Sequence, residues 1–155
     1  MTASLEDIYS AAHRALLGTR ALSRAGLAEG TNANTFQIAA PNGAGVDFCI
    51  DGIVYHKADA DNIAFAAASG HTPQVHADGQ TRVYLIQINA AGTVTYKQGS
   101  SAGECPLPDA SNCALGAIKV VSAGAAFTPG STDLGAGTVT DTYFNFSVMP
   151  ANRVL

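Results

Sequence analysis

The sequence predicts a mainly β fold: an antiparallel β-sandwich or jelly-roll-like domain that follows an N-terminal α-helical arm. From residue 34 onward, short runs of β-branched and aromatic residues alternate with glycine-bearing turns, which is typical of antiparallel sandwiches and barrels. Before that point, apolar residues recur at helical spacing. We expect residues 1–32 to form the arm and residues 33–155 to form one β-domain, because a chain of 155 residues suits a single domain.

The arm is expected to be helical from Ser4 to about Ala28. Ser4, with Asp7 three residues later, matches the Asp form of a capping box, and Gly26 and Gly30 supply helix stops. The apolar stripe is narrow and rich in alanine, so the helix would be marginal alone and needs a surface to pack on. That surface is either its own domain or a partner, including a neighbouring copy of the chain. The stripe consists of Leu5, Ile8, Ala12, Ala15, Leu16, Thr19 and Leu22.

Strand-like segments fill the region between residues 34 and 99. The dipeptides Asp51-Gly52 and Ala91-Gly92 predict tight hairpin turns within it. A long irregular loop, SSAGECPLPDASNC, follows. The segments read TFQIA, VDFCIDGIVYHK, NIAFAAA, RVYLIQINA and TVTYKQG.

Two further strands, CALGAIKVVS and VTDTYFNFSVM, are predicted on either side of a glycine-rich loop, AGAAFTPGSTDLGAGT. In the second strand, Val139 and Tyr143 face one side, and Phe144 and Phe146 face the other. Aromatic residues on both faces indicate a strand that its own domain covers on one side and another surface covers on the other.

Composition limits the classes of partner. Only 13% of residues are charged, against about a quarter in an average soluble domain. Either this is an ordinary β-protein of small residues, or other protein covers much of its surface, where charge is costly to desolvate. The net charge of −4 argues against nucleic acid, which needs a basic stripe. No apolar run resembles a signal peptide or a membrane span, so we expect no membrane partner and synthesis in the cytoplasm.

The three cysteines have different expected environments. Cys49 lies in an apolar alternating run and is expected to be a buried hydrophobic residue. Cys105 and Cys113 bracket the short loop PLPDASN. They would remain thiols in a reducing cytoplasm, and they could pair as a disulfide in an oxidising medium. Their spacing does not suit a zinc site.

Residues for chemistry are few. The chain has no nucleophile elbow, no phosphate-binding loop and no dinucleotide fingerprint. Histidines and aspartates do cluster in two polar stretches, but no two of these histidines have the i, i+2 or i, i+4 spacing that directs two imidazole ligands at one metal ion. We expect polar loops, no catalytic residues, no cofactor and no metal. The residues concerned are His56, His71, His76, Asp59, Asp61 and Asp78.

Three runs carry a resemblance to a known class of proteins: IDGIVYHKADADNIAF, VYLIQINAAGTVTYKQG and LGAIKVVSAGAAFTPGSTDLGAGTVTDTYFNFSVMP. The pattern resembles tailed-bacteriophage virion structural proteins, and most of all head decoration (capsid cement) proteins. It covers about residues 46–150. The resemblance implies a sandwich or jelly-roll module that is made in the host cytoplasm, binds the outer surface of the icosahedral head and clamps neighbouring subunits of the major capsid protein. It assigns no role to individual residues.

We infer the contact surfaces from the residues themselves, and expect a homo-oligomer, a dimer or a trimer. The arm and the glycine-rich loop would provide the contacts, and the arginines would steer the protein toward an acidic capsid face. A chain that lacks residues 1–30 is then expected to fold and to lose its partner. The contact residues are Leu5, Ile8, Arg14, Leu16, Arg20, Leu22 and Arg24 in the arm, and Phe127 and Pro129 in the loop.

Two alternatives remain from the sequence. One is another virion part, a tail, fibre or neck-associated adaptor or a receptor-binding protein. The other is an enzyme, for example a metal-dependent one, that uses the histidine and aspartate loops. The first predicts ring or trimer symmetry, and the second predicts metal in the purified protein.

Overall fold

The computed structural model describes residues 18–147, which form ten β-strands and no helix. The prediction of a mainly β fold is confirmed. Within these residues no helix is long and apolar enough to cross a membrane. The strands are β1 (Arg20–Ala21), β2 (Leu27–Glu29), β3 (Thr35–Ile38), β4 (Val46–Ile50), β5 (Ile53–Lys57), β6 (Ala60–Ala64), β7 (Thr81–Asn89), β8 (Val94–Gln98), β9 (Asn112–Ser122) and β10 (Val139–Asn145).

The strands form three antiparallel sheets, with the orders β1-β4-β5, β2-β3-β6 and β10-β9-β7-β8. Both predicted hairpin turns are confirmed. Asp51 and Gly52 join β4 to β5 with positive φ angles of 50° and 80°, as a type I′ turn requires at both central positions. Gly92, also at φ 80°, closes the β7–β8 turn, where its amide donates to the Asn89 carbonyl at 2.9 Å.

The core lies between the inner face of the four-stranded sheet and the two smaller sheets. Phe65, in the chain after β6, stands at its centre. The Phe65 ring contacts Phe36, Tyr84, Tyr96 and Phe127, with centroid separations of 5.5, 5.3, 4.9 and 6.3 Å. These rings come from β3, β7, β8 and the glycine-rich loop, so one side chain ties four parts of the chain together.

The predicted helix is wrong for residues 18–28, and the earlier part of it, from Ser4 to residue 17, lies outside the described residues. Residues 18–28 contain β1 and the start of β2, which pair with β4 and β3. Ala21, Ala25 and Leu27 are buried, at spacings of four and two that suit either a helix or a strand. Gly26 resolves the ambiguity: its φ of +63° is left-handed, and a Cβ there would collide with the Ala39 carbonyl. The division of the chain at residue 32 stays a prediction.

The loop between β8 and β9 crosses the outer face of the four-stranded sheet. Gln87 on β7 anchors it by accepting a hydrogen bond from the Asp109 amide at 2.8 Å and donating to the Asp109 carboxylate at 2.7 Å. Lys97 on β8 adds an ion pair to Asp109 at 2.8 Å. Leu85, on the same face, is 1% exposed. The loop therefore covers the β7–β8 half of this face and leaves the β9–β10 half open.

Candidate functional site

The open half of the outer face forms a shallow apolar groove of about 360 Å³, which we call the outer groove. Val83 and Ala117, from the central strands, form its floor. Phe144 and Phe146 line it on the side of β10. The loop between β8 and β9 contributes the opposite side through Ala102, Gly103 and Cys105, and Thr81 and Lys119 complete the lining. Such a surface can bind an apolar segment, and Cys105 supplies the one thiol in its lining.

Alternation along β10 places the two phenylalanines outward. Tyr143 pairs with Ile118 on β9 and packs on the core, whereas Phe144 pairs with Ala117 and points away from it. Phe144 is 47% exposed and Phe146 is 38% exposed. The prediction that aromatic residues lie on both faces of this strand is therefore confirmed.

A second depression, of about 310 Å³, shares Phe146 with the outer groove. Thr19, Arg20 and Ala21 line it from the start of the described chain, and Ser147 lines it from the end. Leu107, in the loop between β8 and β9, is 81% exposed. Contiguous apolar exposure rimmed by polar groups marks interaction surfaces more often than singly exposed side chains do.

The predicted contact residues that fall within residues 18–147 do not form one surface. Arg20 is exposed on β1, and Leu22 and Arg24 are half-buried just after it. Phe127 is 2% exposed and packs in the core, so its side chain does not face a partner. Pro129 is half-buried beside a separate depression with Pro73 and Val75. The remaining four, Leu5, Ile8, Arg14 and Leu16, lie outside the described residues.

The three histidines within residues 18–147 occupy separate environments. His56 is paired with Asp47 at 2.8 Å on the surface. His71 accepts a hydrogen bond from the Gln98 amide at 2.9 Å through Nε2. His76 is 1% exposed. Among residues 18–147 no three His, Cys, Asp or Glu side chains are placed to share a metal ion.

The aspartates of the two polar stretches accept hydrogen bonds from backbone amides of distant loops and hold these loops in place. Asp59 accepts from the Ala40 amide at 2.8 Å, and Asp78 accepts from the Gly124 amide at 2.6 Å. Asp61 accepts from both the hydroxyl and the amide of Thr31, and these hydrogen bonds hold the pKa of the Asp61 carboxyl below its ordinary value. The polar cluster seen in the sequence thus connects loops within the fold.

All three cysteines are free thiols in the structure. Cys49 is buried, as predicted. Cys113 is buried beside Cys49, and burial raises the pKa of its thiol to about 11. Cys105 is exposed at the outer groove, where partial desolvation raises its pKa. Pairing of Cys105 with Cys113 in an oxidising medium stays a prediction.

A buried polar network holds His76 neutral. Its Nε2 donates to the Gln80 carbonyl at 3.0 Å, so Nδ1 is left to accept from the Tyr84 hydroxyl at 2.9 Å. That hydroxyl accepts in turn from Gln98 Nε2 at 3.3 Å. Burial, with the nearby Arg82 cation, lowers the pKa of His76 against the opposing effect of the Gln80 hydrogen bond.

This network predicts a pH-dependent stability. The unfolded chain binds a proton at His76 near pH 6.5, whereas the folded chain binds it only at lower pH. Stability from neutral His76 is therefore complete above pH 6.5 and falls as the pH drops toward the folded pKa, by at most about 1.4 kcal/mol per pH unit. Urea unfolding at pH 7.5, 6.5 and 5.5 measures the slope. His71, whose pKa is also lowered by burial, adds a slope of the same sign. In the His76→Gln variant, the dependence of stability on pH should lose the contribution of His76 and keep that of His71. An unchanged slope in that variant would show that His76 does not cause the effect.

No protein-family model, curated protein or solved structure matches the chain. The outer groove is the surface of the described residues on which a functional proposal can rest.

Proposed function

We propose that the protein is a non-enzymatic structural protein of a tailed-phage virion. In this proposal it is a decoration protein that binds the outer surface of the icosahedral head and stabilises contacts between subunits of the major capsid protein. The observation that carries the proposal is the outer groove, an apolar surface with two half-exposed phenylalanines and no reactive cluster around it. The sequence resemblance to decoration proteins supplies the identity of the partner.

The composition of the surface supports binding by contact area. Phe144 and Phe146 would contribute most of the apolar area, and aromatic side chains bury more area than other side chains do. Lys119 is the one charge in the lining of the groove, so covering the groove desolvates little charge. Because a head repeats the same site many times, an oligomer that engages several sites multiplies a modest affinity. Binding to the assembled shell and not to its separated subunits then stabilises the shell by mass action.

Two further surfaces fit the same role. The glycine-rich loop between β9 and β10 exposes the small residues Ala123 to Ala126, although Phe127 anchors it from within. Arg20 is exposed beside the second depression and would steer the protein toward an acidic capsid face. A dimer or a trimer remains the proposed assembly.

Substitution in the groove should weaken binding to heads. Phe144→Asp places a charge where an apolar contact is proposed, and we expect at least a tenfold loss of affinity, as for an interface residue of central importance. Ile53→Asp is the matched control, because Ile53 on β5 is 46% exposed and lies outside the groove. Co-sedimentation with phage heads that lack this protein, over a salt series, measures both affinities.

The same experiment separates the proposal from its alternative. Saturable binding at a fixed ratio to the major capsid protein supports decoration, and the salt slope reports the contribution of the arginines. Binding to tails or necks instead of heads would favour the tail, fibre or adaptor alternative. Equal affinities of the Phe144→Asp and Ile53→Asp variants would show that the groove is not the contact surface.

A further inference from the structure

The four-stranded sheet has one edge that its own chain closes and one edge that residues 18–147 leave open. β8 lies at the closed edge, where the Tyr96 amide donates to the Ala66 carbonyl and the Tyr96 carbonyl accepts from the Ala68 amide, both at 2.9 Å. β10 lies at the other edge, and no strand among the described residues pairs with its outer side. With seven residues, β10 is longer than any edge strand of the two smaller sheets.

Alternate residues of β10 direct their main-chain groups toward that open edge. On the β9 side, the Phe146 amide donates to the Leu115 carbonyl at 2.9 Å. In an antiparallel ladder such hydrogen-bonded positions recur at every second residue, so the even-numbered residues of β10 bond to β9. The odd-numbered residues Asp141, Tyr143 and Asn145 therefore present their amides and carbonyls outward, where a further strand can pair with them.

The sequence of β10 complements itself when two copies run antiparallel with Tyr143 opposite Tyr143. In this register Thr142 lies opposite Phe144 of the second copy, and an aromatic residue opposite a β-branched one is a favourable cross-strand pair. Asp141 lies opposite Asn145, so no like charges face each other. Centring the pair on Asp141 would place two carboxylates opposite each other. Centring it on Asn145 would pair residues beyond the end of the strand.

The same pairing joins the two outer grooves. Phe144 and Phe146 lie on the outer face of β10, and in this register the outer faces of both copies lie on the same side of the sheet. The Phe144 rings of the two copies are diagonal neighbours within reach of each other. This aromatic contact adds to about six main-chain hydrogen bonds, two at each facing pair of outward residues. Because such an interface is small, we expect a dissociation constant of about 1–100 μM.

We propose that the protein is a two-fold symmetric dimer in which β10 of each copy pairs antiparallel with β10 of the other, centred on Tyr143. The two four-stranded sheets then form one continuous sheet. Each copy contributes the same patch, as a closed two-fold dimer requires. The dimer forms without phage heads and so goes beyond the proposed function. Only the simultaneous use of both outer grooves on a head rests on that function.

An exchange of charge between two positions tests the dimer in the full chain. Asn145→Asp keeps an acceptor for the Leu27 amide, which donates to Asn145 Oδ1 at 2.8 Å, but it places a carboxylate opposite Asp141 of the second copy. Sedimentation equilibrium should then show a dissociation constant about ten times that of the parent chain. Asp141→Asn/Asn145→Asp again sets an amide opposite a carboxylate and should restore the parental value. Within one chain the two positions are about 13 Å apart, so only pairing between copies explains such a rescue.

Hydrogen exchange in the parent chain gives a second readout that follows the alternation along β10. The amides of Asp141, Tyr143 and Asn145 should be protected only at concentrations where dimers form. The amides of Thr142 and Phe144, which bond to β9 by the same alternation, should be protected at every concentration. This pattern decides the question even if Asn145→Asp does not fold.

Three results would overturn the proposal. One is a parent chain that stays monomeric up to about 1 mM or that forms trimers. Another is a parental dissociation constant in an Asn145→Asp variant whose circular dichroism is native. The third is a double variant that associates no better than Asn145→Asp, because Asp141 and Asn145 then do not face each other. Head binding is measured separately: a dimer that does not bind heads contradicts the proposed function alone, and a monomer that binds them contradicts the dimer alone.

Discussion

A chain that lacks residues 1–30 is expected to be unfolded, whereas a chain that lacks residues 1–17 is expected to fold. The longer deletion removes β1 and β2 together with the buried side chains Ala21, Ala25 and Leu27. It also removes the Leu27 amide that donates to Asn145 Oδ1 at 2.8 Å and ties β2 to the end of β10. The buried residues of β1 and β2 thus argue against the prediction, drawn from the helical pattern, that a chain without residues 1–30 folds and loses only its partner.

The size of the effect follows from burial. Loss of one large buried aliphatic side chain costs about 2–5 kcal/mol, and the deletion also exposes β3, where Phe36 and Ile38 are almost completely buried. Exposing each of these costs about 2–3 kcal/mol more. The sum reaches the whole stability of a typical domain, about 5–15 kcal/mol. Urea unfolding followed by circular dichroism should show a cooperative transition for the shorter deletion and none for the longer. A cooperative transition of parental midpoint in the longer deletion would contradict the prediction.

The sequence predicted the strands best where two signals agreed. Around Asp51-Gly52, apolar alternation and a turn dipeptide pointed to the same hairpin, and the structure contains it. Along β10, alternation alone placed Phe144 and Tyr143 on opposite faces. Between residues 18 and 28 the signals conflicted, because apolar spacings of four and two suit either period. There, pairing with β3 and β4 decided the structure, and sequence spacing does not show pairing between distant segments.

Only one side of the candidate site could be predicted from the sequence. The outward aromatic residues of β10 could be predicted, but Ala102 and Cys105, which face them across the groove, could not. A bridge between Thr81 and Ala102 and the hydrogen bonds between Gln87 and Asp109 hold this loop against the sheet. These contacts join residues 21 and 22 positions apart, which local sequence patterns do not reveal. The burial of Phe127 could not be predicted for a related reason. A single aromatic residue in a neutral loop reads as a contact residue, yet it anchors the loop in the core, where it fills space beside Phe65.

Phe65→Ala is expected to produce a large loss of stability. The ring contacts Phe36, Tyr84, Tyr96 and Phe127. Its removal leaves a cavity that no one element can close, because these rings belong to four separate parts of the chain. Replacing a buried phenylalanine by alanine costs about 3–5 kcal/mol, which lowers the melting temperature of a domain of this size by about 10 °C. Thermal unfolding followed by circular dichroism measures the shift.

The matched control for that substitution is Phe144→Ala, which removes the same ring from a position that is 47% exposed. It should lower the melting temperature by only a few degrees, because less apolar area leaves the protein interior. Phe65→Leu, which keeps part of the volume, should fall between the two. Phe65 also supports Phe127, so loss of the Phe65 ring should loosen the glycine-rich loop. The Phe127 amide donates to the His76 carbonyl at 2.9 Å. Hydrogen exchange at this amide should therefore accelerate more than exchange within β7. If Phe65→Ala and Phe144→Ala shift the melting temperature equally, the aromatic cluster does not join the sheets as the contacts imply.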